Sequence, residues 1–291
     1  MQGVEQGAHP LQSGVCQLAD GAQWVSRWHE VIELLEARVG QPVLQRSTPP
    51  QATPLGRRLL NHVQQVRWLE RDLRRVVPAL ADSQQPKRLR IALNADSLAT
   101  WWAPAVADFC AQQQVLLELV VEDQQVGLKR MRAGEVAACL CAAERPVAGA
   151  RSLALGSMRY LALASPAFMA RYFANGVQRT RLAQVPAIVF GPDDQLQHRY
   201  LAALGVHGHF NHHLCPSSEG FVQLALAGLG WGLVPELQVR ELLAGGELVE
   251  LLPGQFIDVP LYWHYWRQGG ALLDGLTAAL RDYGQTHLHA W

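Results

Sequence analysis

From residue 87 onward, short apolar runs alternate with helical stretches, and this alternation commits most of the chain to a layered α/β architecture. Residues 88–95, 116–122 and 137–142 read as strands, with helices at 97–112 and 124–134 between them. The pattern then repeats, with strands at 153–164, 187–190, 213–215 and 231–234 and helices at 166–173, 194–204, 218–227 and 236–244. A strand at 259–266 and a helix at 270–286 bring the chain back. Such alternation predicts right-handed βαβ units around a parallel sheet. The lengths fit two small lobes, lobe I from 87–156 and 258–291 and lobe II from 157–257. Crossover strands joining two such lobes leave one cleft at the strand C-terminal ends, where a small ligand binds.

The first 86 residues follow a different pattern. Residues 31–39 predict a short helix, with Val31, Ile32, Leu34 and Leu35 apolar and Gly40 as its terminator. Val43–Arg46 is a candidate strand, Ser47-Thr48-Pro49-Pro50 a turn, and Thr53-Pro54 the cap and first residue of a second helix. Along that helix Leu59, Val63, Val66, Leu69, Leu73, Val76 and Leu80 recur at spacings of three or four. This seam fits either pairing with a second copy or an ordinary core helix. Ser83-Gln84-Gln85-Pro86 is the clearest linker, which divides the chain into 1–53, 54–86 and 87–291.

Net charge is zero, but it is unevenly spread. Residues 1–50 carry three basic and five acidic side chains, whereas residues 51–90 carry nine basic and three acidic, so a polyanion fits the second segment. With 49% hydrophobic and 17% charged residues the chain is neither disordered nor fibrous. It has no unbroken apolar run of about 20 residues and no basic, apolar start, so neither a membrane span nor a secretory signal is expected, and the cytoplasm is the expected location. Five scattered cysteines without a C-x-x-C pair read as reduced thiols.

Enzyme signatures are missing: the sequence contains no G-x-G-x-x-G, Walker-type, G-x-S-x-G or H-E-x-x-H pattern, and no catalytic residue is assigned. His207, His209, His212 and His213 with Cys215 sit in a glycine-containing loop without acidic neighbours, so solvated histidines are favoured over a metal site. The informative residues lie at strand ends. Asn94-Ala95-Asp96-Ser97 precedes a helix, with Asp96 or Ser97 as the expected N-cap, so that helix N-terminus offers donors to an α-carboxylate. Ser217-Ser218-Glu219 repeats the arrangement in lobe II, although capping alone accounts for a serine at such a place. Asp123, after the second strand, and Asp193 with Asp194, after Phe190, are placed to neutralise a cationic ligand tail. Trp101-Trp102 and the run Tyr262–Trp266 are expected to pack in the core.

Four segments carry a family likeness: Leu35–Arg46 continuing through Thr53-Pro54-Leu55-Gly56, Leu93–Trp101, Ser217–Leu224, and Gly246–Val249 with Leu261–His264. Through them the chain resembles the LysR-type transcriptional regulators over about residues 32–291, and Leu93–Trp101 resembles the ArgP group that responds to lysine and arginine. The resemblance implies an N-terminal winged helix-turn-helix, a long dimerisation helix along the Leu59–Leu80 seam, and a two-lobed periplasmic-binding-protein-like effector domain. It implies a basic amino-acid effector held by Asn94, Asp96, Ser97, Thr100, Asp123, Asp193, Ser217, Ser218 and Glu219, with no metal or cofactor. Promoter DNA of amino-acid export or metabolism genes would be held by Arg27, Arg38, Arg46, Arg57 and Arg58, by a dimer or tetramer, with RNA polymerase as a further partner.

The likeness stops at the reading helix. Family members place a Gln/Ser-rich recognition helix before Leu35-Glu36, whereas Val25–Glu33 shares little with it beyond Ser26 and Ile32. Trp28, Glu30 and Glu33 are the opposite of what base edges and phosphates require. A truncated or frame-altered N-terminus is therefore expected, with residues 8–30 irregular and specific DNA binding weak. The alternatives are an amino-acid-binding two-lobed protein without specific DNA binding, an exported solute-binding protein, and an α/β enzyme.

Overall fold

The computed structural model describes residues 21–60, 62, 63, 66, 87–121 and 127–290. The chain divides into two compact units, Met1–Leu60 and Asn61–Trp291.

In the first unit a helix runs over Gly21–Val39, ten residues longer at its start than expected. No proline or glycine interrupts residues 22–39, so nothing stops helix propagation. Residues 21–30, expected to be irregular, are thus helical, while 8–20 lie outside the described residues. Gly40 ends the helix at φ 75°, and its N–H donates to Glu36 O at 2.8 Å. The Glu36 carboxylate accepts from the backbone N–H groups of Leu44 (3.1 Å) and Val43 (2.7 Å), which lowers its pKa. Those bonds pin the start of a small hairpin, β1 (Leu44–Gln45) antiparallel to β2 (Gln51–Ala52). The second strand has no sequence signal, because the two prolines between the strands mask it. Thr53 caps the next helical stretch as expected, its hydroxyl oxygen accepting from Gly56 N–H at 3.1 Å. A Cβ at Gly56 would fall 2.0 Å from Val43 O, so only glycine lets that stretch lie against the hairpin. Of the apolar seam, Leu59 and Val66 are half-buried and Val63 is exposed. Leu69, Leu73, Val76 and Leu80 lie outside the described residues, as does the 83–86 linker.

The second unit is built on a mixed sheet, not the parallel one expected. β3 (Lys87–Leu93) runs parallel to β4 (Val115–Val121) and β5 (Ala138–Cys141). β6 (Ala150–Ala164) and β11 (Phe256–Trp266) pair antiparallel from Phe256↔Leu161 to Trp266↔Ala150. These two strands carry the chain out towards residues 165–255 and back, so they must run in opposite directions. β11 also pairs with β5 through Tyr262–Tyr265, while the far end of β6 pairs with β9 (Gly232–Pro235) and β10 (Val249–Glu250). β7 (Ala187–Val189) and β8 (His212–Leu214) form a separate parallel pair. Helix bounds otherwise follow the sequence reading closely, as at Pro166–Tyr172, Ser218–Leu226, Glu236–Ala244 and Gly270–His287.

The helix after β3 departs from that reading. It starts at Ala95, passes through a π turn at Leu98–Trp102 and continues as Ala103–Gln113. Its N-cap is Asn94, not Asp96 or Ser97, and no side chain caps it. Through the π turn the adjacent Trp101 and Trp102 both enter the core. Trp102 packs against Trp263 at 5.9 Å between ring centroids, and Trp101 stacks on Tyr283 at 6.3 Å. Trp263 Nε1 donates to Thr277 Oγ1 at 2.9 Å, so the aromatic run packs inward as its composition predicts. A smaller apolar cluster around Leu163, Ile188, Val222, Val234 and Val239 holds the part of the unit beyond β6. The four described cysteines are free thiols, and Cys16 lies outside the described residues. Among the described residues no helix is long and apolar enough to cross a membrane.

Candidate functional site

At the C-terminal ends of β3 and β5 the second unit encloses a cavity of about 520 Å³. One wall is Asn94, Ala95 and Asp96 with Ala142 and Ala143. The other runs from Phe190 through Arg199, with Ser218, Phe221, Pro235 and Gln238, and Tyr160 of β6 lies between the two. The position is the one that strand topology dictates: loops at the C-terminal ends of parallel strands converge there with helix N-termini pointing inward.

Asp96 joins the two walls. Its Oδ2 accepts from the Tyr160 hydroxyl and its Oδ1 from the Ser218 hydroxyl, both at 2.7 Å. Burial pushes the Asp96 carboxyl above its ordinary pKa, the two hydroxyl donors pull it back, and the charge of Asp194 pushes it further up. Burial and the neighbouring Asp96 charge hold the Tyr160 phenol well above its ordinary value, so it remains a donor. Gln238 Nε2 donates to Ser218 O at 3.2 Å, which ties the Glu236–Ala244 helix to the same cluster. Asn94 is 5% exposed, and neither its Nδ2 nor its Oδ1 has a partner within the protein. An amide left in this state on a cavity wall is costly unless a ligand or water meets it.

The nine expected ligand residues separate clearly. Asn94, Asp96, Asp193 and Ser218 line the cavity. Ser97 is wholly buried behind it, and the Thr100 hydroxyl donates to Asp96 O at 2.6 Å within its own helix. Ser217 Oγ accepts from Gly220 N–H at 3.1 Å as the N-cap, and Glu219 is exposed in the first turn; neither lines the cavity. Asp123 lies outside the described residues. Asp194 shapes its loop, accepting from Phe190 N–H at 3.2 Å and Leu196 N–H at 2.9 Å. Sequence reasoning missed Tyr160, Arg199 and Gln238. Tyr160 sits in the middle of the long strand β6 and Gln238 among ordinary helix residues; Pro235, which opens that helix at the end of β9, is the available signal.

Ser217→Ala removes a cap and no ligand contact. It is expected to cost about 1 kcal/mol of stability while leaving ligand affinity within about twofold, as read by denaturant unfolding and calorimetry on the same sample.

Among the described residues no group of three His, Cys, Asp or Glu side chains is arranged to hold a metal ion. His212 Nδ1 lies 3.0 Å from Phe210 O, and His198 packs edge-on against Phe210. The candidate DNA-contacting arginines all belong to the first unit. Arg27 and Arg38 lie in the Gly21–Val39 helix, with Arg38 exposed, and Arg46 pairs with Glu33 at 3.3 Å. Arg57 Nη1 donates to Ala52 O at 2.7 Å and Arg58 is exposed.

The family model for the LysR substrate binding domain matches residues 82–288. The HTH-type transcriptional regulator ArgP of Pseudomonas fluorescens (strain Pf0-1) is 73% identical over 249 residues, which is 86% of this chain and 84% of that protein. The chain belongs to the LysR family. Within the LysR-type regulators it falls in the ArgP group, whose members are transcriptional regulators and not enzymes. The crystal structure of ArgP from Mycobacterium tuberculosis is 32% identical, covering 91% of this chain and 90% of that one, with a TM-score of 0.80. Full-length LysG of Corynebacterium glutamicum with its bound effector Arg is 33% identical over the same shares, with a TM-score of 0.72. The second unit therefore has the periplasmic-binding-protein-like α/β fold of LysR effector domains.

Proposed function

We propose that this LysR-type regulator senses lysine or arginine in the cavity between Asn94 and Gln238, and that lobe I (87–156 and 258–291) and lobe II (157–257) close over it. The observation that carries this reading is the buried, unpartnered Asn94 amide at the N-terminus of the Ala95–Gln113 helical segment, beside acidic Asp96, Asp193 and Asp194. Asn94 and the helix N-terminus receive the α-carboxylate, where backbone N–H groups and the helix dipole favour an anion. The acidic side chains receive the cationic groups. LysG, with Arg bound, supplies the chemical precedent. Ser97, Thr100, Ser217, Glu219 and Asp123 then act behind or beside the site.

The region 1–53 is read as a degenerate winged helix-turn-helix DNA-binding region, with Arg27, Arg38 and Arg46 within it and Arg57 and Arg58 just beyond it toward phosphate. The seam from Leu59 to Leu80 pairs two copies into a dimer or tetramer on promoter DNA in the cytoplasm, where RNA polymerase is a further partner. Specific DNA binding is weak, because Trp28 is 60% exposed on the helix that carries Glu30 and Glu33. That observation favours a second reading, an amino-acid-binding two-lobed protein that has lost specific DNA recognition.

Calorimetry with L-lysine, L-arginine and L-leucine tests the first reading: binding of a basic amino acid and none of leucine is expected, and equal binding of all three overturns it. A gel shift at fixed salt on the promoter of an amino-acid exporter gene separates the two readings: a weak shift that is still specific over an unrelated fragment removes the second, and nanomolar specific binding also overturns the expected weakness.

A further inference from the structure

The segment after the last helix lies across the point where the two long strands leave one half of the sheet for the other. Ser157 N–H donates to His289 O at 2.8 Å and His289 N–H to Ser157 O at 3.0 Å. Beside this bridge Gly156 adopts φ 132°, and a Cβ there would meet Leu288 Cβ at 2.8 Å and His289 O at 2.9 Å. Only glycine leaves room for the C-terminal segment against β6. Gly156 pairs with Leu261, where the β6–β11 register shifts. The C-terminal segment therefore sits on the irregular point of both crossover strands.

From that anchor His289 Nε2 donates to Glu236 Oε2 at 2.8 Å. Glu236 directly follows Pro235 and stands two residues before Gln238, both on the cavity wall. Gln238 holds Ser218, and Ser218 donates to Asp96. The other Glu236 oxygen is 3.3 Å from Arg240 Nε, and nearby Arg159 is engaged by Asp258 through two bonds of 2.9 and 2.8 Å. Losing the imidazole would thus leave Glu236 paired with Arg240. What disappears is the tie between the start of the Glu236–Ala244 helix and the C-terminal segment.

We propose that His289 is a positioning residue for the amino-acid site: through Glu236 it fixes the helix that carries Gln238, and so the Ser218–Asp96 contact. This rests on the reading of the cavity given above. The test uses the full chain with L-arginine and L-lysine. His289→Ala is expected to weaken binding roughly three- to tenfold with a thermal midpoint within about 2 °C of wild type, since no carboxylate is stranded. His289→Gln keeps an N–H for Glu236 and is expected to bind within about twofold of wild type. Hydrogen exchange in the absence of ligand supplies an independent readout. In His289→Ala the amides at the start of the Glu236–Ala244 helix should exchange faster, while those of the Gly270–His287 helix stay unchanged. Wild-type affinity and exchange in His289→Ala overturn the proposal, as does equal weakening by the Ala and Gln variants. If wild type binds neither amino acid, the cavity reading falls, and the exchange comparison still decides whether His289 holds the helix.

Discussion

Replacing Asp96 by alanine is expected to weaken lysine or arginine binding about a hundredfold, near 3 kcal/mol. Two losses combine. The ligand cation loses an acidic neighbour, and the Tyr160 and Ser218 hydroxyls, which both donate to this carboxylate at 2.7 Å, lose their acceptor on the opposite wall. Asp96→Asn isolates the charge. Burial is the main cause that raises the Asp96 carboxyl. An acid with a raised folded-state pKa contributes stability that is fully present below its unfolded pKa, near 3.9, and is lost as pH rises through the folded value. Asp96→Asn, which cannot ionise, is therefore expected to melt higher than wild type at pH 8, with the gap closing toward pH 4. Ligand affinity has the opposite sign: in wild type it rises with pH as Asp96 ionises against the cation, and in Asp96→Asn that rise is absent. Calorimetry and thermal melts across pH 4–8 check both. Affinity of the alanine variant within about threefold of wild type would remove Asp96 from the site.

The residues that the sequence makes legible are those whose role is local. Thr53 caps where Thr-Pro predicts, Gly40 terminates where a C′ glycine predicts, and strand ends at Asn94 and Ser218 mark the cavity because topology alone puts them there. What stays hidden depends on contacts distant in sequence. The antiparallel middle of the sheet follows from where β6 and β11 travel, which depends on the whole path of the chain between them. Tyr160 lies 64 residues from the Asp96 carboxylate it meets, and Ser218 lies 122 away. The N-cap lies two or three residues before the expected Asp96 or Ser97, both good capping types, because their side chains are drawn instead toward the opposite wall and the buried interior. The first helix starts early although its surface suits base reading poorly, because backbone propensity is indifferent to what a side chain would read.

Trp263→Ala is expected to destabilise the second unit by about 4 kcal/mol, lowering its thermal midpoint by about 10 °C. Trp263 is completely buried, lies 5.9 Å from Trp102, and donates to Thr277 Oγ1 at 2.9 Å. Truncation opens a cavity between β11 and the last helix, and close-packed neighbours relax only partly into such a space. The Thr277 hydroxyl still donates to Leu273 O at 2.7 Å, so the cost is mainly lost packing and not a stranded donor. Trp263→Phe keeps much of the volume and is expected to cost roughly half as much. The ring faces Thr277 and Trp102, away from the cavity lining, yet its strand pairs Trp263 with Leu140, two residues before the cavity residue Ala142. Saturating arginine should therefore raise the midpoints of wild type and Trp263→Ala by similar increments, because a ligand that binds only the folded state stabilises it by an amount set by its affinity. A much smaller increment in the variant would mean that the aromatic layer also sets the shape of the cavity.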